Sequence, residues 1–199
     1  MAKFAVAWGS ATLDAMSAGI KLSVIVVVRD DEDSVGRDVR GLCRHLRERG
    51  LAFEILAISD GSYDTSLTLL RFLCAELPEL TVLGSARGGR AFSRATAHAM
   101  GEVVLLWEAD RGGAFPHAIL GWALSRLSRR PAVVVRGRFV LALRRSALPV
   151  LLQATGRGDE YQAHFERRAA HLGLDVETVG MRRPARCALL APVLRILSV

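Results

Sequence analysis

The sequence predicts an α/β fold, a doubly wound and mostly parallel sheet with helices on both faces. Short apolar runs rich in β-branched residues recur along the chain, as at residues 22–28 and 103–107. Segments with helical periodicity separate these runs, and the runs end in charged or glycine-containing turns. Strands buried on both faces that alternate with helices are typical of βαβ units with right-handed crossovers.

The first βα unit begins at residue 22. Residues 22–28 predict a buried strand, and the charged turn 29–34 follows it. A helix is expected next, because five apolar residues share one helical face: Val35, Val39, Leu42, Cys43 and Leu46. Gly50 marks the end of this helix.

The second unit starts with a strand at residues 53–58, which ends in the turn Ser59–Thr65. Asp64 or Thr65 is expected to cap the next helix. The apolar face of that helix is predicted to contain Leu67, Leu70, Cys74 and Leu77. Pro78 ends it before a short strand at residues 80–83, and a helix of small residues is expected from Arg87 to Met100.

The second half continues the alternation with less regular patterns. After residue 110 we expect a helix containing Ile119, Trp122, Ala123 and Leu127, then strands at 132–135 and 138–143. A helix is expected to start at residues 144–148. A further helix is predicted at 159–172, with Tyr161, Phe165 and Leu172 on or near one face. Residues 175–179 alternate as a half-exposed edge strand would.

Length and composition favour one soluble domain. The chain has 199 residues, and it contains no uninterrupted apolar stretch of the roughly 18 residues that a transmembrane helix needs. Gly9, Ser10 and Asp14 interrupt any signal-peptide core, so we expect a cytoplasmic protein. The three cysteines are far apart in apolar surroundings, and this spacing predicts buried free thiols.

Charge is distributed unevenly along the chain. The net charge is +7, but residues 1–110 carry 12 basic and 15 acidic groups, whereas residues 111–199 carry 15 arginines and 5 acids. This split suggests an anionic partner for the second half, and arginines on solvated faces are the alternative. Nucleic acid is not expected, because the arginines are not interleaved with aromatic residues.

Glu108 and Asp110 end an apolar strand at residues 103–110. In open α/β sheets the carboxyl ends of strands are where ligands bind. Two carboxylates at alternate positions are able to share one hard divalent cation. Two solvated acids in a strand-to-loop turn remain the alternative at this stage.

Five segments in this order resemble the catalytic domain of family 2 glycosyltransferases with the GT-A fold, most of all the polyprenyl-phosphate (dolichol-phosphate mannose synthase-like) sugar transferases. Residues 23–34 stand in the place of the strand ending in a Pro-x-Tyr-Asn-Glu motif. Residues 54–65 look like the motif that contains Asp-Asp-Gly-Ser-x-Asp. Residues 86–96, 103–110 and 158–173 are similar to the Asn-x-Gly-x-Gly helix start, the Asp-x-Asp strand and the Glu-Asp helix.

The resemblance implies roles at the donor. It assigns Asp110 to a divalent metal, Mg or Mn, and to catalysis. Glu108 is assigned to the metal or the ribose of a nucleotide sugar, and Asp60 to the nucleobase. Arg29, Asp31 and Arg87 are implied to contact the nucleotide.

The resemblance also implies the reaction, a sugar transfer with inversion. The acceptor is expected to be a lipid phosphate such as a polyprenyl phosphate. Asp159 or Glu160 would act as the base for a hydroxyl acceptor, and an acidic helix start that favours the helix dipole is their alternative.

Several family positions carry other residues. Val27 and Arg29 replace the Pro and Tyr, Ser59 replaces the first Asp of Asp-Asp-Gly-Ser, and Ala86 replaces the Asn. Ser59 and Ala86 have less hydrogen-bonding capacity than the residues that they replace. A degenerate, non-catalytic nucleotide- or partner-binding module is therefore the alternative function.

The chain is predicted to divide into an N-terminal extension (residues 1–20), a GT-A-like domain (21–186) and an apolar C-terminal helix (187–199). Arg182, Arg183 and Arg186 precede that segment. They predict peripheral binding to an anionic membrane surface, on the inner face of the cell membrane. The alternative is that the segment covers the sheet or a second copy of the chain in a homodimer.

Overall fold

The computed structural model describes residues 21–86, 90–110, 117–127, 129–136, 140–149 and 158–180. Within these ranges the strands are β1 (Leu22–Arg29), β2 (Phe53–Ser59), β3 (Leu80–Ser85), β4 (Val103–Asp110), β5 (Ala132–Arg136), β6 (Val140–Arg144) and β7 (Val176–Gly180). The helices are α1 (Val35–Arg47), α2 (Ser66–Leu73), α3 (Ala91–Thr96), α4 (His117–Arg126) and α5 (Gly158–His171), and a short 3-10 helix spans Arg145–Ala147.

The described strands form one seven-stranded sheet in the order β3-β2-β1-β4-β6-β5-β7. β1 pairs in parallel with β2 and β4, β2 with β3, and β5 with β7. β6 runs antiparallel to both of its neighbours, β4 and β5. The predicted mostly parallel, doubly wound sheet is therefore confirmed.

Apolar side chains cover both faces of the sheet, because successive residues of a buried strand point to opposite sides. Val24, Val26 and Val28 pack in a core with apolar residues of α1, α2 and α4. Ile25 and Val27 pack in a second core with residues of α3 and α5. β1 is thus buried on both sides, as its continuous apolar sequence predicts.

Several element boundaries differ from the prediction. β3 continues to Ser85, and α3 ends at Thr96 rather than near Met100. The predicted helix start after residue 144 begins as a 3-10 turn. Leu172, predicted on or near one face of the last helix with Tyr161 and Phe165, lies after α5 and is 56% exposed.

The buried face of α2 is also corrected. Ser66, Leu70 and Leu73 are its buried residues, and Leu77 is buried beyond it. Cys74 is only half-buried. Leu70 and Leu77 were therefore predicted correctly, whereas Leu67 is half-buried. Ser66 was not predicted on this face because its side chain is polar; its hydroxyl accepts the Asp31 N–H.

The thiols that the structure describes are free, as predicted, although only Cys43 is fully buried. Burial raises the pKa of the Cys43 thiol to about 11. A thiol of this kind stays protonated near neutral pH and is a poor nucleophile.

Residues 1–20 and 187–199 of the predicted domain division lie outside the described residues. Among the helices that the structure describes, none combines the length and the apolar character needed to cross a membrane.

Candidate active site at the carboxyl edge of the sheet

The parallel register brings the ends of three strands to one edge of the sheet. Val28 of β1 lies beside Ser59 of β2 on one side and Ala109 of β4 on the other. Asp110, the last residue of β4, pairs with Arg29. The chain segments that follow β1 and β2, and the final residues of β4, therefore meet where the sequence predicts a ligand.

Two loops at this edge, residues 29–34 and 59–65, are joined by hydrogen bonds, and we refer to them as the paired loops. The Tyr63 N–H donates to Asp30 Oδ1 at 2.9 Å, and the Asp30 N–H donates to Ser62 Oγ at 3.3 Å. The Ser62 hydroxyl also donates to the Val28 carbonyl at 3.3 Å. These contacts hold the two loops together over a sequence separation of more than 30 residues.

A second set of bonds joins the loops on the side of α2. Glu32 accepts the Thr65 N–H at 2.9 Å and the Thr65 hydroxyl at 2.6 Å. The Glu32 N–H donates to a different residue of the second loop, Asp64, with its Oδ2 at 3.0 Å. The Ser66 N–H and hydroxyl also donate to Asp64, at 3.0 and 2.7 Å. Thr65 occupies the N-cap position of α2 but makes no side-chain capping bond, whereas the Asp64 carboxylate binds the N–H of Ser66, the first residue of the helix.

The same bonds affect the ionisation of Asp64. Partial burial raises the pKa of this carboxyl, but hydrogen bonds from the Ser66 side chain, the Ser66 backbone and the Glu32 backbone outweigh it. The pKa is therefore lowered from its ordinary value. Asp64 is therefore ionised at neutral pH, and its carboxylate links the two loops through the hydrogen bond from the Glu32 N–H.

Asp31 and Asp60, two predicted nucleotide-binding residues, are both buried here, at 3% and 2% exposure. The Ser34 hydroxyl donates to Asp31 Oδ1 at 2.5 Å, and the Asp31 N–H donates to Ser66 Oγ at 3.0 Å. The Asp60 N–H donates to the Val28 carbonyl at 2.9 Å. The backbone of Asp31 is thus fixed by Ser66 of α2 and that of Asp60 by Val28 of β1. The contact of both residues with a nucleotide stays a prediction.

Glu108 and Asp110 occupy alternate positions at the end of β4, and Glu108 lies between Trp107 and Ala109, which are both buried. Glu108 is half-buried. Its carboxylate and that of Asp110 are the oxygen ligands that Mg²⁺ and Mn²⁺ prefer, so the donor set fits the predicted metal. Among the described residues no group of three or more His, Cys, Asp or Glu could hold a metal ion. The side chain of Asp110 lies outside that description.

Two further predicted residues, Arg29 and Glu160, are exposed to solvent. Arg29 lies at the end of β1, and Glu160 lies in the first turn of α5. α5 leads through a short turn into β7, which is parallel to β5, so α5 begins at the carboxyl edge. The ring of Tyr161 in its first turns packs 4.8 Å from the ring of Phe92 in α3. Arg87 and the side chain of Asp159 lie outside the described residues.

Sequence reasoning missed the residues that build the paired loops. Asp30, Glu32, Ser62 and Ser66 were not singled out, although they carry most of the bonds between the loops. A local signal was present, because serine and acidic residues that follow strands often bind nearby backbone groups. The partner of each residue, however, lies in the other loop and is not visible from local spacing.

The comparisons with known proteins agree with this architecture. Residues 23–112 match the model of glycosyl transferase family 2, and this segment contains β1 to β4 and the paired loops. A comparison with curated protein sequences gives no match.

Solved structures of glycosyltransferases are similar to the chain. One is the mannosyltransferase PcManGT from Pyrobaculum calidifontis in complex with GDP-Man and Mn²⁺, with 18% identity and a TM-score of 0.67. The similarity covers 86% of this chain and 59% of that one, so the chain spans little more than half of that protein.

Another is the glucosyl-3-phosphoglycerate synthase from Mycobacterium tuberculosis in complex with Mn²⁺, UDP and phosphoglyceric acid. It is 18% identical with a TM-score of 0.63, and the similarity covers 89% of this chain and 76% of that one. Identities this low show the fold alone. Residues 23–112 match the model of glycosyl transferase family 2, and the sheet that they form with the rest of the described chain has the GT-A fold of these solved glycosyltransferases.

Proposed function

We propose that this protein transfers a sugar from a nucleotide-sugar donor to an acceptor with the help of a divalent metal. The observation that carries the proposal is the alignment of Val28, Ser59 and Ala109, which brings the paired loops and the end of β4 together. Asp31, Asp60 and Glu108 all follow or end these strands. The segment that supplies them is the one that matches the family.

The charge of this edge supports a need for metal. The paired loops carry six acids and one base, Arg29. A nucleoside diphosphate is an anion, so these acids would repel its phosphates in the absence of a cation. Glu108 and Asp110 would hold Mg²⁺ or Mn²⁺, which when bound neutralises the diphosphate and stabilises it as a leaving group. Two of the similar proteins were solved with Mn²⁺ and a nucleotide or nucleotide sugar.

For the chain's own residues we assign the following roles. Asp31 and Asp60 orient the nucleoside, and Arg29 and Arg87 offset the charge of the phosphates. The acceptor attacks the sugar carbon from the side opposite the leaving group, which inverts the configuration. A lipid phosphate acceptor is already ionised at neutral pH, whereas Asp159 or Glu160 would take the proton of a hydroxyl acceptor.

One observation favours a second function, a non-catalytic nucleotide-binding module. At the position where the family has the first Asp of Asp-Asp-Gly-Ser, the Ser59 hydroxyl donates to Ser62 Oγ at 3.0 Å and accepts the Ser62 N–H at 3.1 Å. Ser59 therefore supports the loop and adds no charge to the site. Such a module would bind the nucleotide without transferring a sugar.

Nucleotide binding is tested with the variant Asp110→Asn. We expect UDP or GDP to bind the unaltered protein in the presence of Mn²⁺, and the variant to lose at least tenfold in affinity, because a metal-binding charge is removed. Isothermal titration calorimetry with and without Mn²⁺ measures this. Asp33→Asn is the matched control, because Asp33 is an exposed acid of the paired loops without an assigned role.

If the unaltered protein and Asp110→Asn bind UDP or GDP with equal affinity in Mn²⁺, the assignment of Asp110 to a metal site is wrong. Transfer or hydrolysis assays with a panel of nucleotide sugars and Mn²⁺ then separate the two functions. Turnover supports the transferase, whereas tight nucleotide binding without any turnover supports the non-catalytic module.

A further inference from the structure

Tyr63 presents an aromatic ring to solvent from a loop at the carboxyl edge of the sheet. Its side chain is 92% exposed, the largest value among the large hydrophobic residues that the structure describes. It lies in the second of the paired loops, three residues after Asp60 and next to Ser62. A tyrosine usually buries part of its ring in a folded protein, so this exposed ring leaves an apolar face available to a ligand.

The backbone that carries this ring is firmly held. The Tyr63 N–H donates to Asp30 Oδ1, and the preceding Ser62 N–H donates to Ser59 Oγ at 3.1 Å. Two residues later, Thr65 is bound twice by Glu32. A ligand that contacts the ring therefore meets a loop that is already ordered, and little entropy is lost on binding.

The charge of the paired loops favours one kind of ligand for this ring, an uncharged one. Tyr63 is the only aromatic residue in the paired loops, and the other side chains include six acids. A phosphate group would be repelled by these carboxylates, whereas a flat and uncharged ring would not. Nucleobases stack on aromatic side chains because both have polarisable faces.

We propose that Tyr63 stacks on the nucleobase of the donor nucleotide. The inference rests on the proposed function, and it assigns to the base a contact that none of the acidic residues is able to make. Stacking depends on the ring and not on the hydroxyl. Tyr63 is thus a binding residue for the base, separate from the residues that act on the diphosphate.

The test compares Tyr63→Ala with Tyr63→Phe. Calorimetric titration with UDP, GDP and pyrophosphate, each with Mn²⁺, distinguishes binding of the base from binding of the phosphates. We expect Tyr63→Ala to raise the Kd of UDP and GDP on the order of tenfold, because stacking is lost. Tyr63→Phe keeps the ring and should bind both nucleotides like the unaltered protein. The affinity for pyrophosphate should be the same in all three proteins.

Phe72→Ala is the matched control, because Phe72 is 72% exposed on α2 and lies outside the paired loops. It should leave every affinity unchanged. Neither exposed ring supports the core, so the variants should melt at the temperature of the unaltered protein.

If the unaltered protein binds UDP or GDP and Tyr63→Ala binds them with the same affinity, the stacking inference is wrong and the proposed function is not affected. An equal loss of pyrophosphate affinity would also overturn the stacking inference, because the effect would then concern the phosphate site. Absence of binding by the unaltered protein would overturn both this inference and the proposed function.

Discussion

Asp30 shows how one residue shapes the candidate site. Its φ of 46° lies in the left-handed region, and it is the only non-glycine residue there in the described part of the chain. Aspartate tolerates this conformation better than most residues, although the conformation remains costly. The N–H and the carboxylate of Asp30 bind Ser62 and Tyr63 of the second loop, which offsets that cost. Asp30 therefore turns the chain between β1 and the buried Asp31.

We expect Asp30→Val to lower the free energy of unfolding by about 1–3 kcal/mol, because a β-branched residue is strained at this φ and the bond to Tyr63 is lost. Asp30→Asn should be close to neutral, since asparagine tolerates the same backbone and its oxygen accepts the same hydrogen bond. Urea unfolding followed by circular dichroism measures both. Equal midpoints and slopes for the valine variant and the unaltered protein would contradict a strained position.

The sequence predicted the site residues at this scale only in part. Asp60, Glu108 and Asp110 were placed at strand ends, because an apolar run that stops at an acid is a local pattern. The bonds of Asp30 and Glu32 were not predictable, because their partners are more than 30 residues away.

At the scale of elements, the connection from α3 to β4 is packed against the opposite, amino edge of the sheet. The Gly101 N–H donates to Ser23 Oγ at 2.8 Å, and the Ser23 hydroxyl donates to Glu54 Oε1 at 2.5 Å. The Met100 N–H donates to the same carboxylate oxygen at 2.7 Å. Both Ser23 and Glu54 are buried, so these bonds replace the water that their polar groups have lost. They fix where β4 enters the sheet beside β1.

Gly101→Ala should destabilise the protein. A Cβ at this position would lie 2.6 Å from the Ser23 nitrogen and 2.8 Å from the Leu22 carbonyl carbon, so backbone would have to move. We expect a loss of about 1–3 kcal/mol or more in the free energy of unfolding. Chemical denaturation with urea measures the loss.

Gly121→Ala in α4 is the matched control, because no atom lies within 4 Å of its added Cβ. Alanine favours a helix over glycine, so this variant should be neutral or more stable by up to about 1 kcal/mol. If both glycine variants unfold at the same urea concentration as the unaltered protein, the close approach at Gly101 is not rigid.

At the scale of the whole molecule, the two halves of the chain differ in charge and in topology. Residues up to 110 supply β1 to β4, all parallel, and are more acidic than basic. Residues after 110 are rich in arginine and insert the antiparallel strand β6 between β4 and β5. The first half contains the proposed donor site. The basic second half is where we expect the anionic acceptor to bind.

Truncation after Arg186 tests the role of the C-terminal segment 187–199, which lies outside the described residues. If the segment covers the sheet, we expect a lower melting temperature, because the truncated protein would lack five apolar residues that contribute to that cover: Leu189, Leu190, Val193, Leu194 and Leu197. Differential scanning fluorimetry measures the change. Co-sedimentation with vesicles that contain phosphatidylserine, at low salt, measures membrane binding in parallel.

An unchanged melting temperature together with lost vesicle binding would contradict this expectation. That result would instead identify the segment as a peripheral membrane anchor. Binding of the intact protein that weakens with added salt would then assign part of the affinity to Arg182, Arg183 and Arg186.

The sequence by itself determined the α/β class, the strand-helix alternation and the acids at the ends of β2 and β4. These features depend on the side chains of a few consecutive residues, because hydrophobic periodicity and turn residues act locally. The family match rests on the same segments, since it covers residues 23–112.

Only the tertiary structure decided how these elements are combined. The position of β6 between β4 and β5, the bonds between the paired loops and the close approach of Gly101 to Ser23 all join residues far apart in the chain. The exposure of Tyr63 and the burial of Asp60 were decided there too, although they are only three residues apart in one turn. Such differences depend on which distant backbone groups occupy the space around each side chain, and local spacing carries no information about that space.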